Sequence, residues 1–525
     1  MPRLATLRYL GLAAAVLLAV VAWLGGALPH GNLASTPLSI ARGPHGIFIL
    51  CGWLVGTAIL AYAWWKARDR VPNGRWALGT AALWAAPFLV VPPMGSRDVY
   101  SYACQGYLYV HGMSPYTHGV DALSCPWIDG VSPIWRETAA PYGPLFVLLS
   151  AAGVRVAGGS FVVIVLFFRL LALLGLLAVA AGLPVLARRC GISPARAWWI
   201  ALAGPLVGAH LIAGPHNDTL MVGLVVAGLA LVTLGAPLGP ATSLLKPAAL
   251  ATGRGGWGCQ LAGGLLLGLA VATKVTAIVV VPFAVLLVLA RPYRWRQALL
   301  AGGLVGGGAA VAMLGVTVTS GLGYGWIGGM VNTKDLVQFT SPPTAVGMTL
   351  TYLGRLFDDD FDAVPAVRAI ALLVFALLVL ALWWRSATWG RVLPSAARLV
   401  AWLGRPVARA ADPGASALRG AALAMAATVA LSPYFHPWYA YWALALLAAT
   451  TVRVDLIMAA ATAGPLLVLA DGSGLARFVK FPGAPLMTLL MVALLVLYFR
   501  SSSRPRRPAM AAAPTAPRTD VASTG

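Results

Sequence analysis

The chain has 525 residues, of which 60% are hydrophobic and only 10% charged, against about 25% charged in an ordinary water-facing domain. Apolar runs of membrane-spanning length recur from residue 7 almost to residue 500, which excludes a soluble globular protein, a collagen, a disordered chain and a disulfide-stapled module. The net charge of +22 gathers beside the apolar runs, at Lys66, Arg68, Arg70 and Arg75, at Arg188, Arg189 and Arg196, and at Arg291, Arg294 and Arg296. That pattern marks a cytoplasmic membrane face rather than a nucleic-acid partner.

These segments fix an expected topology in chain order. The run after Arg3 and Arg8 lacks a clear cleavage site and reads as a retained helix. Residues 7–24 run outward, 46–65 return and 76–91 go out again, leaving 92–141 outside. Residues 142–159 are apolar, but a crossing there would place Arg188 and Arg189 outside, so they read as a surface-lying or re-entrant helix and 161–187 as the true crossing. Residues 195–213 go out and 219–236 return. The short runs 261–273 and 276–290 form a broken hairpin with Lys274 at its bend, where non-helical backbone must be enclosed by protein or line a wet cavity.

Residues 298–318 go out, 321–363 form a second external segment and 364–384 return, followed by helices near 416–431, 438–451, 454–470 and 486–499. The expectation is an all-α polytopic membrane protein with roughly fourteen membrane helices, a single membrane domain over residues 1–500 and a basic, disordered cytoplasmic tail over 501–525. Both termini lie in the cytoplasm of a multi-pass plasma-membrane protein. The basic stretch 385–419 and the tail, with Arg500, Arg504, Arg506 and Arg507, are suited to anionic membrane lipid. Most acids fall outside; only Asp69, Asp412, Asp455 and Asp520 fall inside. Since acids do not set topology, this asymmetry suggests chemical work for carboxylates on the outer face. Cys104 and Cys125 share the first external loop, either as free thiols or as a disulfide closing about 20 residues and worth roughly 3 kcal/mol.

The candidate chemistry begins where the third crossing emerges, at Pro92-Pro93-Met94-Gly95-Ser96-Arg97-Asp98-Val99-Tyr100-Ser101-Tyr102. The loop continues through Pro115-Tyr116 and Trp135 to Pro141-Tyr142-Gly143-Pro144. Its Tyr, Trp, Gly and Pro suit stacking on sugar rings. Asp98, at a low-dielectric boundary, is expected to have a raised pKa and to act as a general base; the bland alternatives are a salt bridge to Arg97 or a helix cap. Arg97 and Lys274 could hold a departing phosphate. His216, Asn217 and Asp218 sit at an outer turn, as sugar or phosphate ligands or as caps of the following helix. Lys274 is an ammonium between apolar half-helices, which needs a partner or water unless it snorkels. His436, in Ser432-Pro433-Tyr434-Phe435-His436-Pro437-Trp438-Tyr439, reads as a ligand or as a structural interfacial residue. Asp358, Asp359, Asp360 and Asp362 lack the Gly and Glu of a calcium loop and read as a solvated turn. The chain shows no nucleotide-binding Gly-rich loop and no Cys/His zinc pattern.

Taken together, these stretches resemble the C-type membrane glycosyltransferases, and more closely the actinobacterial polyprenol-phosphate-mannose-dependent alpha-1,6-mannopyranosyltransferases. The resemblance rests on Asp98-Val99-Tyr100-Ser101-Tyr102 with Gln105-Gly106, Pro115-Tyr116, Trp135 and Pro141-Tyr142-Gly143-Pro144. His216-Asn217-Asp218, Thr273-Lys274 and the Ser432 to Tyr439 turn extend it over most of the membrane domain. It implies the C-type fold, an extracytoplasmic site with Asp98 as base in a unit spanning 92–160, and surface helices after the first external loop. It also implies inverting transfer of mannose from a polyprenyl-phosphate mannose donor to a lipid-linked mannan acceptor, building the backbone of lipomannan and lipoarabinomannan. Substrate contacts are expected from Arg97, Tyr100, Tyr102, Tyr116, Tyr142, His216, Asn217, Asp218, Lys274 and His436. No cofactor is required, but Arg97 stands where many relatives carry a second acid, which leaves metal assistance open. Two alternatives share the architecture: a C-type enzyme with another polyprenyl-phosphate sugar, and a transporter or flippase for a lipid-linked sugar.

Overall fold

The structure, a computed structural model, describes residues 2–33, 35–236, 253–289, 293–332, 337–388, 412–474 and 478–503. Most of the basic stretch 385–419, Arg291, Asp335 and the tail from 504 onward lie outside the described residues.

Among the described residues the regular elements are helices, beside one isolated bridge between Val468 and Gly474, and the main ones are as follows. The first half contains α1 (Leu4–Gly25), α2 (Gly46–Ala67), α3 (Gly74–Ala85), α4 (Asp98–Val110), α5 (Pro144–Ala157), α6 (Phe161–Arg189), α7 (Pro194–Leu202) and α8 (Asn217–Gly235). The second contains α9 (Gly253–Thr273), α10 (Val281–Val288), α11 (Trp295–Ser320), α12 (Pro342–Gly354), α13 (Val364–Thr388), α14 (Pro413–Leu431), α15 (Ala440–Thr450), α16 (Asp455–Leu466) and α17 (Lys480–Ser503). Helix starts carry their sequence signals. Asn73 and Ser193 accept from the backbone N–H of Trp76 and Arg196, Asp412 accepts from Gly414 N–H, and Pro144, Pro194 and Pro413 occupy first-turn positions.

Nine of these helices are long and apolar enough to cross a membrane, or ten if α7 and the π-helical turn Val207–Ala213, bent at 67°, count as one span. The expectation of roughly fourteen also counts shorter elements that do not meet this length. Four expected crossings are shorter: 76–91 is α3 plus the 3-10 turn Ala86–Leu89, 438–451 is mainly α15, 454–470 is mainly α16, and 276–290 is the 3-10 turn Val275–Val280 followed by α10. Such elements can be short because protein surrounds them: nearly all of α15 is buried. The first hairpin arm is corrected in the other direction, since 261–273 is only the last part of the 21-residue α9. Helix α4 lies in what the sequence presents as a loop. Its Tyr, Ser and Gly content gives weak helix propensity, overridden by packing on α5, and at Gly106 a Cβ would sit 2.5 Å from the Ser150 carbonyl oxygen.

The two ends of the bundle differ chemically. At one, Arg68 pairs with Asp455 at 2.6 Å and with Asp69 at 3.0 Å, Arg196 approaches Asp69 at 3.3 Å, and Arg189 pairs with Asp412. Three acids expected on the cytoplasmic side are thus all matched to arginines of the basic segments. Helix α6 runs from this end, at Arg189, to the other, where Phe168 packs beside Tyr102. There α4 and α5 form a unit with its own apolar core, including Val99, Tyr100, Cys104, Trp127, Phe146 and Phe168. Cys104 and Cys125 are joined in a disulfide, with Cα atoms 5.5 Å apart, which ties α4 to the loop that follows it.

Candidate active site

Four chain breaks converge at this end: the start of α4, the start of α8, the junction between α9 and Val275, and the turn before α15. The cleft between them is lined by Asp98, Tyr102, Trp135, Pro141, Tyr142, Lys274, Val275, Thr276, Tyr434, His436, Trp438 and Tyr439. It encloses about 510 Å³, including its open mouth.

Asp98 is the first residue of α4, and its backbone N–H donates to Ser96 Oγ at 3.1 Å. Its carboxylate is 16% exposed, and Oδ2 lies 3.4 Å from His216 Nδ1. Burial pushes the carboxyl pKa up, but the hydrogen bond to His216 and the neighbouring charges, among them Lys274, outweigh it and hold Asp98 below the ordinary carboxylate range. The raised pKa expected from the sequence is therefore corrected: the Asp98 carboxyl is held ionised, with the His216 hydrogen bond and the Lys274 charge among the causes that outweigh desolvation. His216 stacks on Trp438 with centroids 3.7 Å apart, and His436 stacks on Trp438 at 4.7 Å. Burial, opposed by Asp98 and aided by Lys274, lowers His436 to about 4, so its imidazole is neutral at physiological pH.

Lys274 interrupts the helix with an extended backbone, φ −152° and ψ 119°. Its ammonium donates to Asp218 Oδ1 at 2.7 Å, and Trp442 Nε1 donates to the same oxygen at 2.6 Å. Aromatic faces surround the cation, with Tyr439 at 4.5 Å, Trp442 at 4.8 Å and Tyr142 at 5.8 Å from ring centroid to Nζ. The Pro141–Pro144 turn is seated on the end of α9: Gly143 N–H donates to Thr273 O at 3.1 Å, and a Cβ on Gly143 would stand 2.2 Å from Ala272 O. Only glycine permits that approach. Burial raises the Tyr102 and Tyr142 hydroxyls well above their usual pKa, so both stay protonated.

The structure thus places Asp98, Tyr102, Tyr142, Lys274 and His436 around one cleft, with His216 and Asp218 directly behind the first and fourth of them. Asn217 is buried beside them with no hydrogen-bond partner for its side-chain amide among the described residues. Neither Asn217 nor Asp218 caps α8 through its side chain. Three expected contacts fall elsewhere. Arg97 points away from Asp98 and donates to Leu28 O at 3.0 Å and toward Gly130 O at 3.5 Å, so it neither pairs with Asp98 nor faces the cleft. Tyr100 donates to Ala27 O at 2.6 Å and stacks on Phe161. Tyr116 donates to Tyr142 O at 2.8 Å and supports the lining from behind. The sequence reading did not single out Trp438 and Trp442, although their four-residue spacing puts them on one helical face. Among the described residues no group of three or more His, Cys, Asp or Glu side chains could hold a metal ion.

A family model described as alpha-(1->6)-mannopyranosyltransferase, N-terminal domain, matches residues 8–290, and one described as MptB C-terminal domain matches residues 391–497. Alpha-(1->6)-mannopyranosyltransferase A of Mycobacterium tuberculosis is 31% identical over 84% of this chain and 79% of its own length. Alpha-(1->6)-mannopyranosyltransferase B of Corynebacterium glutamicum is 28% identical over 90% of this chain and 78% of its own. No solved structure matches the chain.

Proposed function

The chain belongs to the alpha-(1->6)-mannopyranosyltransferase family, and from that premise we propose that it transfers mannose from a polyprenyl-phosphate donor to the 6-hydroxyl of a lipid-linked mannan, on the extracytoplasmic side of the plasma membrane. The enzyme is a glycosyltransferase of the membrane, and the product on this reading is the alpha-1,6-mannan backbone of lipomannan and lipoarabinomannan. The observation that carries the proposal is an ionised carboxylate, Asp98, across one cleft from a buried ammonium, Lys274.

The reaction is a single inverting displacement. Asp98 takes the proton of the acceptor 6-hydroxyl as that oxygen forms its bond to the anomeric carbon, and the bond from that carbon to the phosphate oxygen breaks with its electron pair. An alpha product by inversion requires a beta-linked donor. The leaving phosphate is already a weak base and needs charge rather than a proton; Lys274 supplies it within an aromatic enclosure that strengthens the interaction. Arg97 has no part in this role because it does not line the cleft and its Nη1 donates to backbone carbonyls on another side. Trp135, Tyr142 and Tyr434 offer faces for sugar rings. A wholly apolar recess lined by Phe339, Val479, Pro482, Leu486 and Leu490 is suited to the isoprenoid tail. Thr340, next to Phe339 of this recess, donates to Phe435 O in the turn that carries His436.

The test uses membranes containing the full chain, radiolabelled polyprenyl-phosphate mannose and a short alpha-1,6-mannoside, followed by linkage analysis. Wild-type protein is expected to extend the acceptor through alpha-1,6 bonds, and Asp98→Asn to be inserted and abundant but inactive. Wild-type turnover by Asp98→Asn would remove the base. Transfer of label only from a different polyprenyl-phosphate sugar would replace the donor. Movement of intact lipid-linked sugar across the bilayer without transfer would favour a flippase, which has no need of that carboxylate.

A further inference from the structure

Arg169 stands in the apolar helix α6, is 4% exposed and does not reach the cleft. A guanidinium at that position is expensive unless every donor is used. Its donors go to backbone. Nε donates to Ile212 O at 3.1 Å, Nη1 to Leu89 O at 3.0 Å, and Nη2 both to Val91 O and, at 3.4 Å, to Ala213 O. These four carbonyls belong to two separate helix ends. Leu89 closes the 3-10 turn after α3, with Val91 just beyond, and Ile212 and Ala213 close the π-helical turn after α7. Both helices stop early, so their last carbonyls would be orphaned at depth.

The same two ends deliver Asp98 and the His216 that faces it. The chain passes from Val91 through Pro92-Pro93 to Asp98, and from Ala213 through Gly214-Pro215 to His216. The two connections are held against each other along their length. A Cβ on Gly214 would lie 2.5 Å from Met94 O, and one on Gly95, which has φ +69°, would lie 2.7 Å from the His210 ring. Prolines on both connections restrict the backbone between the clamp and the tips. The distance between Asp98 and His216 is therefore set at the base by one planar fork whose four hydrogen bonds reach carbonyls on both sides; a lysine offers a single flexible point of charge instead.

We propose that Arg169 is a positioning residue for the transfer reaction, clamping together the two chain segments that place Asp98 against His216. The proposal rests on Asp98 being the base, and it predicts a defect in catalysis rather than in donor binding. Misplacing a catalytic group by an ångström costs on the order of 100-fold.

The experiment compares wild type, Arg169→Lys, Arg169→Gln, His216→Gln and the Arg169→Lys/His216→Gln double variant, each as the full chain in membranes or detergent. It reads insertion, monodispersity, kcat, donor KM and the pH profile of kcat/KM. The groups facing Asp98 that shape this profile are His216, His436, Lys274, Tyr102 and Tyr142. For inserted Arg169→Lys the expected result is a kcat lower by about 100-fold with donor KM nearly unchanged, and an acid limb displaced to higher pH as His216 moves off Asp98. In the His216→Gln background the same substitution should displace the acid limb no further. A wild-type kcat and acid limb in Arg169→Lys overturn the proposal. So does an equal displacement in the double variant, or failure of both Arg169 variants to accumulate, which would make Arg169 a folding requirement. Wild-type turnover by Asp98→Asn is a separate result that removes the base itself and leaves the clamp without a reaction to serve.

Discussion

Lys274 and Asp218 form an ion pair at 2.7 Å in which the carboxylate is 1% exposed and the ammonium 11%. The pair joins the junction after α9 to the start of α8, and Trp442 adds α15 through its own bond to Asp218. Removing one partner of such a pair strands the other, at a typical cost of about 3–5 kcal/mol, whereas removing both is far less damaging. Lys274→Met should therefore raise donor KM and lower thermal stability, and Lys274→Met/Asp218→Asn should recover stability without recovering donor affinity. Thermal unfolding in detergent with donor titration reads both. Unchanged donor KM in Lys274→Met would make the lysine purely structural.

His216 is the neighbour that most opposes burial at the Asp98 carboxyl. With the carboxyl held below its ordinary range, Asp98 is deprotonated at every pH above that lowered value, and base activity is lost only as pH falls through it. His216→Gln removes the foremost of the groups that oppose burial, so the pKa should rise. The acid limb of kcat/KM should move to higher pH, measured from pH–rate profiles at subsaturating acceptor. An acid limb that stays in place would show that Asp98 does not sense His216.

The Cys104–Cys125 disulfide fastens α4 to the loop carrying Trp127, and the chain goes on to Trp135 at the cleft. A closed loop of this length stabilises the fold by roughly 3 kcal/mol in the chain-entropy account. Replacing both cysteines with serine should increase proteolysis within residues 111–140 and weaken acceptor binding more than donor binding, since Lys274 lies on a different element. Limited proteolysis and separate KM values check this. Equal losses for both substrates would mean that the bond supports the whole site.

How much of this was legible before the structure depends on what each residue contacts. Asp98 and Lys274 stand out because a charge beside or between apolar runs is costly wherever it points. Arg97 misled for the opposite reason: sequence adjacency to Asp98 says nothing about direction, and around a helix start two neighbours face different ways. The crossings 161–187 and 364–384 were readable as uninterrupted apolar runs and are matched by α6 and α13. The short elements α3, α10, α15 and α16 read as spans in the sequence although none reaches spanning length alone, because composition does not distinguish protein from lipid as the apolar surround. Arg169 is itself conspicuous in such a run, yet its partners are carbonyls from segments about 43 to 80 positions away, and backbone acceptors leave no mark in a sequence.

Gly143 offers the sharpest test of the seam between the external unit and the lysine-bearing helix. Its N–H donates to Thr273 O, and the space a methyl group would need is occupied by the Ala272 carbonyl oxygen and carbon, at 2.2 and 2.5 Å. Backbone atoms of a helix end do not yield as a flexible side chain does, so Gly143→Ala must lift the Tyr142 turn away from α9. Tyr142 borders both the cleft and the Lys274 enclosure, with Tyr116 bracing its carbonyl. The expected outcome is a loss of kcat/KM on the order of 100-fold, as for other ångström-scale displacements, with insertion and the disulfide intact. Serine should behave as alanine does, because the obstruction begins at Cβ. Wild-type transfer by Gly143→Ala would mean that the seam opens during turnover and that the close contact belongs only to the resting enzyme.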